Sequence, residues 1–368
     1  MHILFASLLK RKITPDVRSS RPRIIYELIQ GLLKKGHTID VLGTGDSIIP
    51  GARIIPVIPS DWVSMPHFEN QFYAETASLA MLAAKIKEIG SDYEIIHNHT
   101  YPEFFNLLVA DQIKTPIITT IHTQGFDLLD DTFAKFANTH LISLSKAHRS
   151  LFKKTNIFRI IYNGIDTDLY KFGEEKKDYL LWLGRLAKSK NKDGSFSDPK
   201  GVKWAIQLAK ETDHELLMSG NIEDMEFFEK DIKPHLNEKI RWIGPVSQEL
   251  ALSKQEVIEL MQNAKCFLMT VNWREPFGLV MAEAMSCGTP VIGFDRGAVP
   301  EVIADGKTGF VVPHDQGIDG LKKALEKIHT IKPSDCRAHV EEHFSNKIMV
   351  AEYEKAYKDI ISQKNNGS

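Results

Sequence analysis

Short apolar runs and longer stretches of mixed apolar and polar residues alternate along this chain. The run His2-Ile3-Leu4-Phe5-Ala6 reads as a strand buried on both faces. Behind Pro22, apolar residues recur at three- and four-residue steps (Ile24, Ile25, Leu28, Ile29, Leu32, Leu33), predicting a helix that Gly36 stops. Further runs predict strands over 38–42, 53–58, 93–97, 116–121, 140–145 and 158–162, with helices over 74–89, 104–112 and 146–153. A polar, charged stretch at 171–177 reads as a linker. Beyond it, strands are predicted over 179–183, 215–219, 240–243, 266–271, 291–292 and 309–312. The helices of this half open at 199–202 and run over 254–264, 279–285, 321–329 and 345–361, with a short one starting at 297–301. Strands alternating with helices predict an α/β protein with doubly wound parallel sheets, which bind ligands outside the carboxyl ends of their strands. The last four residues, 365–368, are expected to be disordered.

A length of 368 residues suits two domains, placed at 1–170 and 177–344, followed by a closing segment 345–368. A hydrophobic content of 43% is enough for two cores. The net charge of −2 argues against a general nucleic-acid binder, whose affinity rests on neutralising phosphates. Cys266, Cys287 and Cys336 lack metal-ligand spacing and fit a reduced, cytoplasmic protein. No apolar run approaches the ~20 residues of a membrane span, so any membrane contact would be peripheral.

The richest chemistry lies at 272–293, N-W-R-E-P-F-G-L-V-M-A-E-A-M-S-C-G-T-P-V-I-G, which reads as a loop, a helix and the start of a strand. Glu275 falls in the loop and Glu283 on the helix, with seven residues between them. At ~1.5 Å rise per residue they stand roughly 12 Å apart, the reach of a nucleoside diphosphate sugar. The N–H groups of Phe277, Gly278 and Leu279 would open the helix as an anion site. By spacing alone two Glu on one helix also suit a solvated face. The wording of the motif is more specific. E-P-F-G-L, the second Glu, E-A-M-S-C-G-T-P-V-I and the later E-V-I-x-D-G-x-T-G-F resemble the donor-site signature of the retaining nucleotide-sugar glycosyltransferases, family four in particular. That resemblance covers essentially the whole chain. It implies a GT-B fold of two doubly wound Rossmann-like domains facing across a cleft, with the last helix crossing back to the first domain.

The resemblance also implies roles. Glu275 would meet sugar hydroxyls, Glu283 the ribose, and the backbone of Phe277, Gly278 and Leu279 the sugar and phosphates. Arg185, in Gly184-Arg185-Leu186, and Lys200, in Lys200-Gly201, would grip the diphosphate. The stretch 188–198 between them looks like an insertion, which leaves Lys190 or Lys192 as substitutes for Lys200. Gly244 and Val246 resemble the loop whose backbone reads the nucleobase. Where the family carries Gly-Gly, this chain has Ser19-Ser20, whose hydroxyls, or Arg18, would take over the contact. His122 matches the cleft histidine near the donor sugar. His97 and His99 form an H-x-H at a strand end, and His99 is expected in the cleft; no third ligand supports a metal there.

Asn163 belongs to a loop resembling the family's N-G-V-D at the domain junction, where Asp166 would fix the turn. Asp130-Asp131 is expected to cap the following helix. The basic residues Lys10, Arg11, Lys12, Arg18, Arg21 and Arg23 suit either a solvated loop or a clamp on an anionic acceptor or the donor phosphates. The function expected is a metal-independent retaining hexosyltransferase. It would need no cofactor beyond a nucleoside diphosphate sugar co-substrate, UDP-glucose or a related UDP-hexose, and would act on a hydroxyl acceptor. The alternatives are a partner-dependent sugar-nucleotide-binding subunit and a sugar-nucleotide epimerase of the same fold.

Overall fold

Runs such as Leu4-Phe5-Ala6 and Cys266-Phe267-Leu268 offer no polar face, so they fold only as strands covered on both sides. The computed structural model, which describes residues 1–136, 139–247 and 252–366, shows two such parallel sheets. The first holds β1 (His2–Ala6), β2 (Thr38–Thr44), β3 (Arg53–Ile58), β4 (Ile95–Asn98), β5 (Ile117–Thr120), β6 (His140–Ser143) and β7 (Ile157–Ile160), in the order β3-β2-β1-β4-β5-β6-β7. The second holds β8 (Tyr179–Leu183), β9 (Glu215–Ser219), β10 (Ile240–Trp242), β11 (Cys266–Met269), β12 (Val291–Phe294) and β13 (Gly309–Val312), in the order β10-β9-β8-β11-β12-β13. Each order reverses once, between β1 and β4 and between β8 and β11, and a doubly wound sheet binds ligands beyond the strand ends at that reversal.

The chain divides into Met1–Gly164 with Asn346–Ser368, and Ile165–Ser345. The break lies at Gly164, ahead of the expected 170. Residues 171–177 are no free linker: Lys176 Nζ donates to Gln262 O, Cys287 O and Thr289 Oγ1 at 2.8–3.0 Å, and Gly173 N to Cys287 O. A charged run reads as solvated in sequence, but one lysine with three acceptors ties it to the second domain.

In the first domain the helix Ser20–Lys34 buries Ile24, Ile25, Leu28, Ile29 and Leu32. The C-terminal helix Asn346–Asn366 packs beside it so closely that a Cβ on Gly31 would stand 2.3 Å from Val350. That helix continues two residues into the stretch expected to be disordered; residues 367–368 lie outside the described residues. The predicted helix over 104–112 is a 3-10 helix, Glu103–Gln112. The helices Asp127–Phe133 and Pro333–His343 escaped the sequence reading because neither shows a clean apolar stripe. Asp130 is accordingly no cap on the following helix. It sits inside Asp127–Phe133 and accepts the N–H groups of Lys153, Lys154 and Thr155 at 2.8–2.9 Å. Asp166 does fix its turn, accepting from Asp168 N at 3.0 Å and Leu169 N at 3.2 Å.

Candidate functional site

In the second domain β8 and β11 end side by side, and the loops beyond them carry the candidate residues. Gly201, at φ 71°, lies against the end of β11. A Cβ there would stand 1.6 Å from Thr270 O, so the close approach requires glycine. Thr270 Oγ1 donates to Gly201 O at 2.7 Å, and Asn272 holds the same loop through Asp198 O and Pro199 O. Asp198 caps the helix Val202–Thr212, accepting N–H groups from Gly201, Val202 and Lys203 at 2.8–3.1 Å. Burial lifts its carboxyl above the usual range against the pull of those donors.

So fixed, Lys200 Nζ stands 2.7 Å from Glu275 Oε2 and 4.4 Å from the centre of the Trp273 ring. Trp273 Nε1 donates to the same carboxylate oxygen at 2.9 Å. The backbone of Glu275 is clamped in turn. Ala298 N donates to its carbonyl at 2.8 Å, and Gly297, at φ 65°, would place a Cβ 2.3 Å from that oxygen. The helix Leu279–Ser286 follows, with Gly278 ahead of it at φ 85° and Glu283 along it, 5% exposed. The Phe277 side chain is core, packed edge-on against Phe344, so only its backbone is available to a ligand.

The stretch 188–198 closes a small hairpin, with Lys190 paired across to Phe196. Lys190 approaches Glu226 at 3.5 Å, so of the three candidate lysines Lys200 is the one at Glu275. Arg185 lies beyond β8, more than half exposed and 3.1 Å from Glu223. Gly244 turns at φ 91° after β10, and Val246 is exposed.

The first domain places its candidates at the ends of β4 and β5. His99 is buried: its Nδ1 lies 2.9 Å from His122 Nε2 and its Nε2 3.2 Å from His97 Nδ1. Burial, followed by repulsion from Arg21, holds His99 down at about 3. Burial also drives His97 and His122 far below the ordinary histidine range, so all three rings are neutral near pH 7. Glu103, 1% exposed, accepts the N–H groups of His122 and Thr123 and pairs with Arg21 Nη2 at 3.1 Å.

Arg21 stacks over Tyr101, and its Nη1 is buried with no partner. Arg21 and Arg23 thus belong to the helix Ser20–Lys34, and Arg23 is 9% exposed. Lys12 pairs with Asp46, and Lys10, Arg11 and Arg18 are exposed. Ser19 and Ser20 are exposed where that helix begins. Asn163 is 6% exposed, with a buried Oδ1 that has no partner. Among the described residues no three His, Cys, Asp or Glu side chains group so as to hold a metal ion.

Sequence reasoning missed Trp273, Asp198 and Glu103. The first sits inside the motif at 272–293, and a single aromatic between Asn272 and Arg274 signals little until its ring is seen under Lys200. The other two act on backbone N–H groups that only the fold identifies.

Two parallel-sheet α/β domains of this kind define the GT-B class, and solved GT-B structures superpose over nearly the full length. Sucrose-phosphate synthase from Thermosynechococcus elongatus matches at TM-score 0.76 and 17% identity, over 98% of this chain and 99% of that one. Anabaena HepE in complex with UDP-glucose matches at TM-score 0.68 and 15% identity, over 97% and 100%. Residues 22–169 match the family model of Glycosyltransferase Family 4, and residues 166–343 that of Glycosyl transferases group 1. The chain belongs to these family 4, group 1 glycosyltransferases and is a transferase of glycosyl groups. Among curated relatives, N-acetyl-alpha-D-glucosaminyl L-malate synthase of Bacillus anthracis is 26% identical over 93% of this chain and 94% of its own length. No described helix is long and apolar enough to cross a membrane.

Proposed function

We propose that this glycosyltransferase transfers a hexose from a UDP-sugar, UDP-glucose or a close relative, to a hydroxyl acceptor that carries negative charge, with retention of anomeric configuration and without a metal ion. The observation that carries the donor assignment is Lys200 held 2.7 Å from Glu275 over the Trp273 ring, beside the helix that bears Glu283. A lysine positioned by its backbone suits the charge of a diphosphate, and Arg185 adds a second cation that can exchange Glu223 for phosphate oxygens. When the diphosphate draws Lys200 away, Glu275 is released to accept sugar hydroxyls. Glu283 then binds the ribose, and the N–H groups at Gly278 and Leu279 meet the phosphates.

Retention follows a front-face course. The bond from the anomeric carbon to the diphosphate oxygen breaks, the acceptor oxygen bonds on the same face, and the acceptor proton passes to the leaving phosphate. Arg185, Lys200 and helix N–H groups stabilise the charge on the leaving group, where other enzymes use a cation. The UDP preference draws support from the fold shared with HepE, whose structure holds UDP-glucose. The anionic acceptor draws support from the exposed Lys10, Arg11 and Arg18, and from a relative named as a synthase of N-acetyl-alpha-D-glucosaminyl L-malate, a product that contains a dicarboxylate.

The test is transfer and hydrolysis of UDP-, GDP- and ADP-hexoses by the isolated chain, with chelator present, and with product anomers resolved by NMR. An α-linked product from an α-linked UDP-hexose supports the reading. An inverted product, or dependence on added magnesium, overturns it.

A further inference from the structure

A file of hydrogen-bonded side chains runs through the first domain from the C-terminal helix to His122. The Tyr357 hydroxyl lies 2.6 Å from His97 Nδ1, His97 Nδ1 lies 3.2 Å from His99 Nε2, and His99 Nδ1 lies 2.9 Å from His122 Nε2. Tyr357, His97 and His99 are at most 1% exposed, whereas His122 is partly exposed. On its other side His97 Nε2 stands 2.9 Å from Thr120 Oγ1, itself 2.8 Å from the Tyr353 hydroxyl.

A neutral imidazole carries one N–H and one lone pair, so each nitrogen-to-nitrogen contact needs one of each. Among the described residues the only hydrogen-bond partner of the Tyr357 hydroxyl is His97 Nδ1. A buried O–H with one partner donates to it, because leaving the proton unmatched costs about 1–3 kcal/mol. His97 Nδ1 is therefore the acceptor, and His97 Nε2–H donates to Thr120. His99 Nε2, at 3.2 Å, shares that one lone pair as a second and longer donor, because two bare lone pairs would repel there, and this leaves His99 Nδ1 as an acceptor. His122 Nε2 must then be the donor, and its lone pair falls on Nδ1.

We infer that the Tyr357 hydroxyl, acting through His97 and His99, locks His122 in the Nε2–H tautomer, so that His122 offers Nδ1 as an acceptor for a sugar hydroxyl. Tyr357 is thus a positioning residue, three side chains from the group it sets. The inverse register, with every proton moved, would strand the proton of Tyr357 inside the core. The low basicity of all three rings keeps the file neutral, as this pairing requires. The use of Nδ1 on a sugar rests on the proposed function; the tautomer itself does not.

The test is long-range proton–nitrogen NMR on the full chain labelled with 15N-histidine, with His122 assigned by the signals lost in His122→Ala. The expected spectrum of the unsubstituted chain shows His122 with a protonated Nε2 and a bare Nδ1. In Tyr357→Phe, which keeps the ring and its packing, both tautomers appear. The apparent donor Kd then rises by the inverse of the competent fraction, roughly twofold at an even mixture. A protonated His122 Nδ1 in the unsubstituted chain overturns the inference, as does an unchanged tautomer in Tyr357→Phe. Should Tyr357→Phe not fold, the unsubstituted spectrum alone decides. Unaltered donor binding by His122→Ala would remove the sugar contact and leave the tautomer result standing, so the two failures are distinct.

Discussion

The two domains present their candidate groups in opposite electrostatic states. In the second, Lys200 and Glu275 form a partly exposed ion pair, with side chains 25% and 12% accessible, on a frame of backbone contacts from Thr270, Asn272 and Gly297. In the first, His97, His99 and His122 form a neutral, largely buried stack, with Tyr357 at one end and Glu103 holding the backbone at the other. A mobile charge that can exchange one partner for another suits a ligand that brings its own charge, such as a diphosphate. A stack with fixed proton positions suits a hydroxyl, whose donor and acceptor directions have to be read. The lesson is that the same kind of sheet can carry an exchangeable ion pair in one domain and neutral, hydrogen-bonded rings in the other.

The largest expected effect separates the two directly. Lys200→Ala removes the cation beside the leaving group and should lower kcat about 10²–10³-fold in steady-state transfer assays, the range for losing one charge-stabilising donor. A loss confined to donor KM would assign Lys200 to ground-state binding instead.

Acid should act on the first domain and spare the ion pair. The three histidines have folded pKa values below their unfolded value of 6.5, so below that pH the unfolded chain binds more protons than the folded one. Stability should therefore fall as pH drops through and below 6.5, by up to about 1.4 kcal/mol per pH unit for each ring. Hydrogen exchange at pH 7 and pH 5.5 should show β4 and β5 losing protection while β11 and β12 keep theirs. Equal loss in both domains would break the contrast.

Gly201→Ala probes the frame alone. Its Cβ would collide with Thr270 O at a positive φ, a strain of about 1–3 kcal/mol, visible as a lower Tm together with displacement of Lys200. The smallest effect is expected at the exposed cations. Replacing Lys10, Arg11 and Arg18 together with Ala should raise acceptor KM about tenfold, the weight of one hydrogen bond to a charged group, with donor Kd unchanged. Unchanged acceptor kinetics would remove the anionic acceptor.

The second domain's site was the more legible in sequence, because its loop, helix and strand lie within 272–293 and the order of residues nearly spells the geometry. Even there, the choice of Lys200 over Lys190 needed the fold, since it pairs with a residue 75 positions away. In the first domain His122 stood out at a strand end, but the neighbours that define its state did not. His97 and Tyr357 are 260 residues apart, and periodicity carries no information about such a pair. The parallel sheets were readable from apolar runs, which depend on local burial. The role of Asp130 was not readable, because its partners at 153–155 depend on how two segments pack.

The most direct test of the central claim, a nucleoside diphosphate site built on Lys200, Glu275 and Glu283, is calorimetric titration with UDP, GDP and ADP. The titrations are run with and without magnesium on the unsubstituted chain and on Glu283→Ala. The account predicts that UDP binds without magnesium and that Glu283→Ala weakens binding about tenfold or more, the size of a lost hydrogen bond to a charged group. UDP affinity equal in both proteins, or no affinity for any of the three nucleotides, would contradict it.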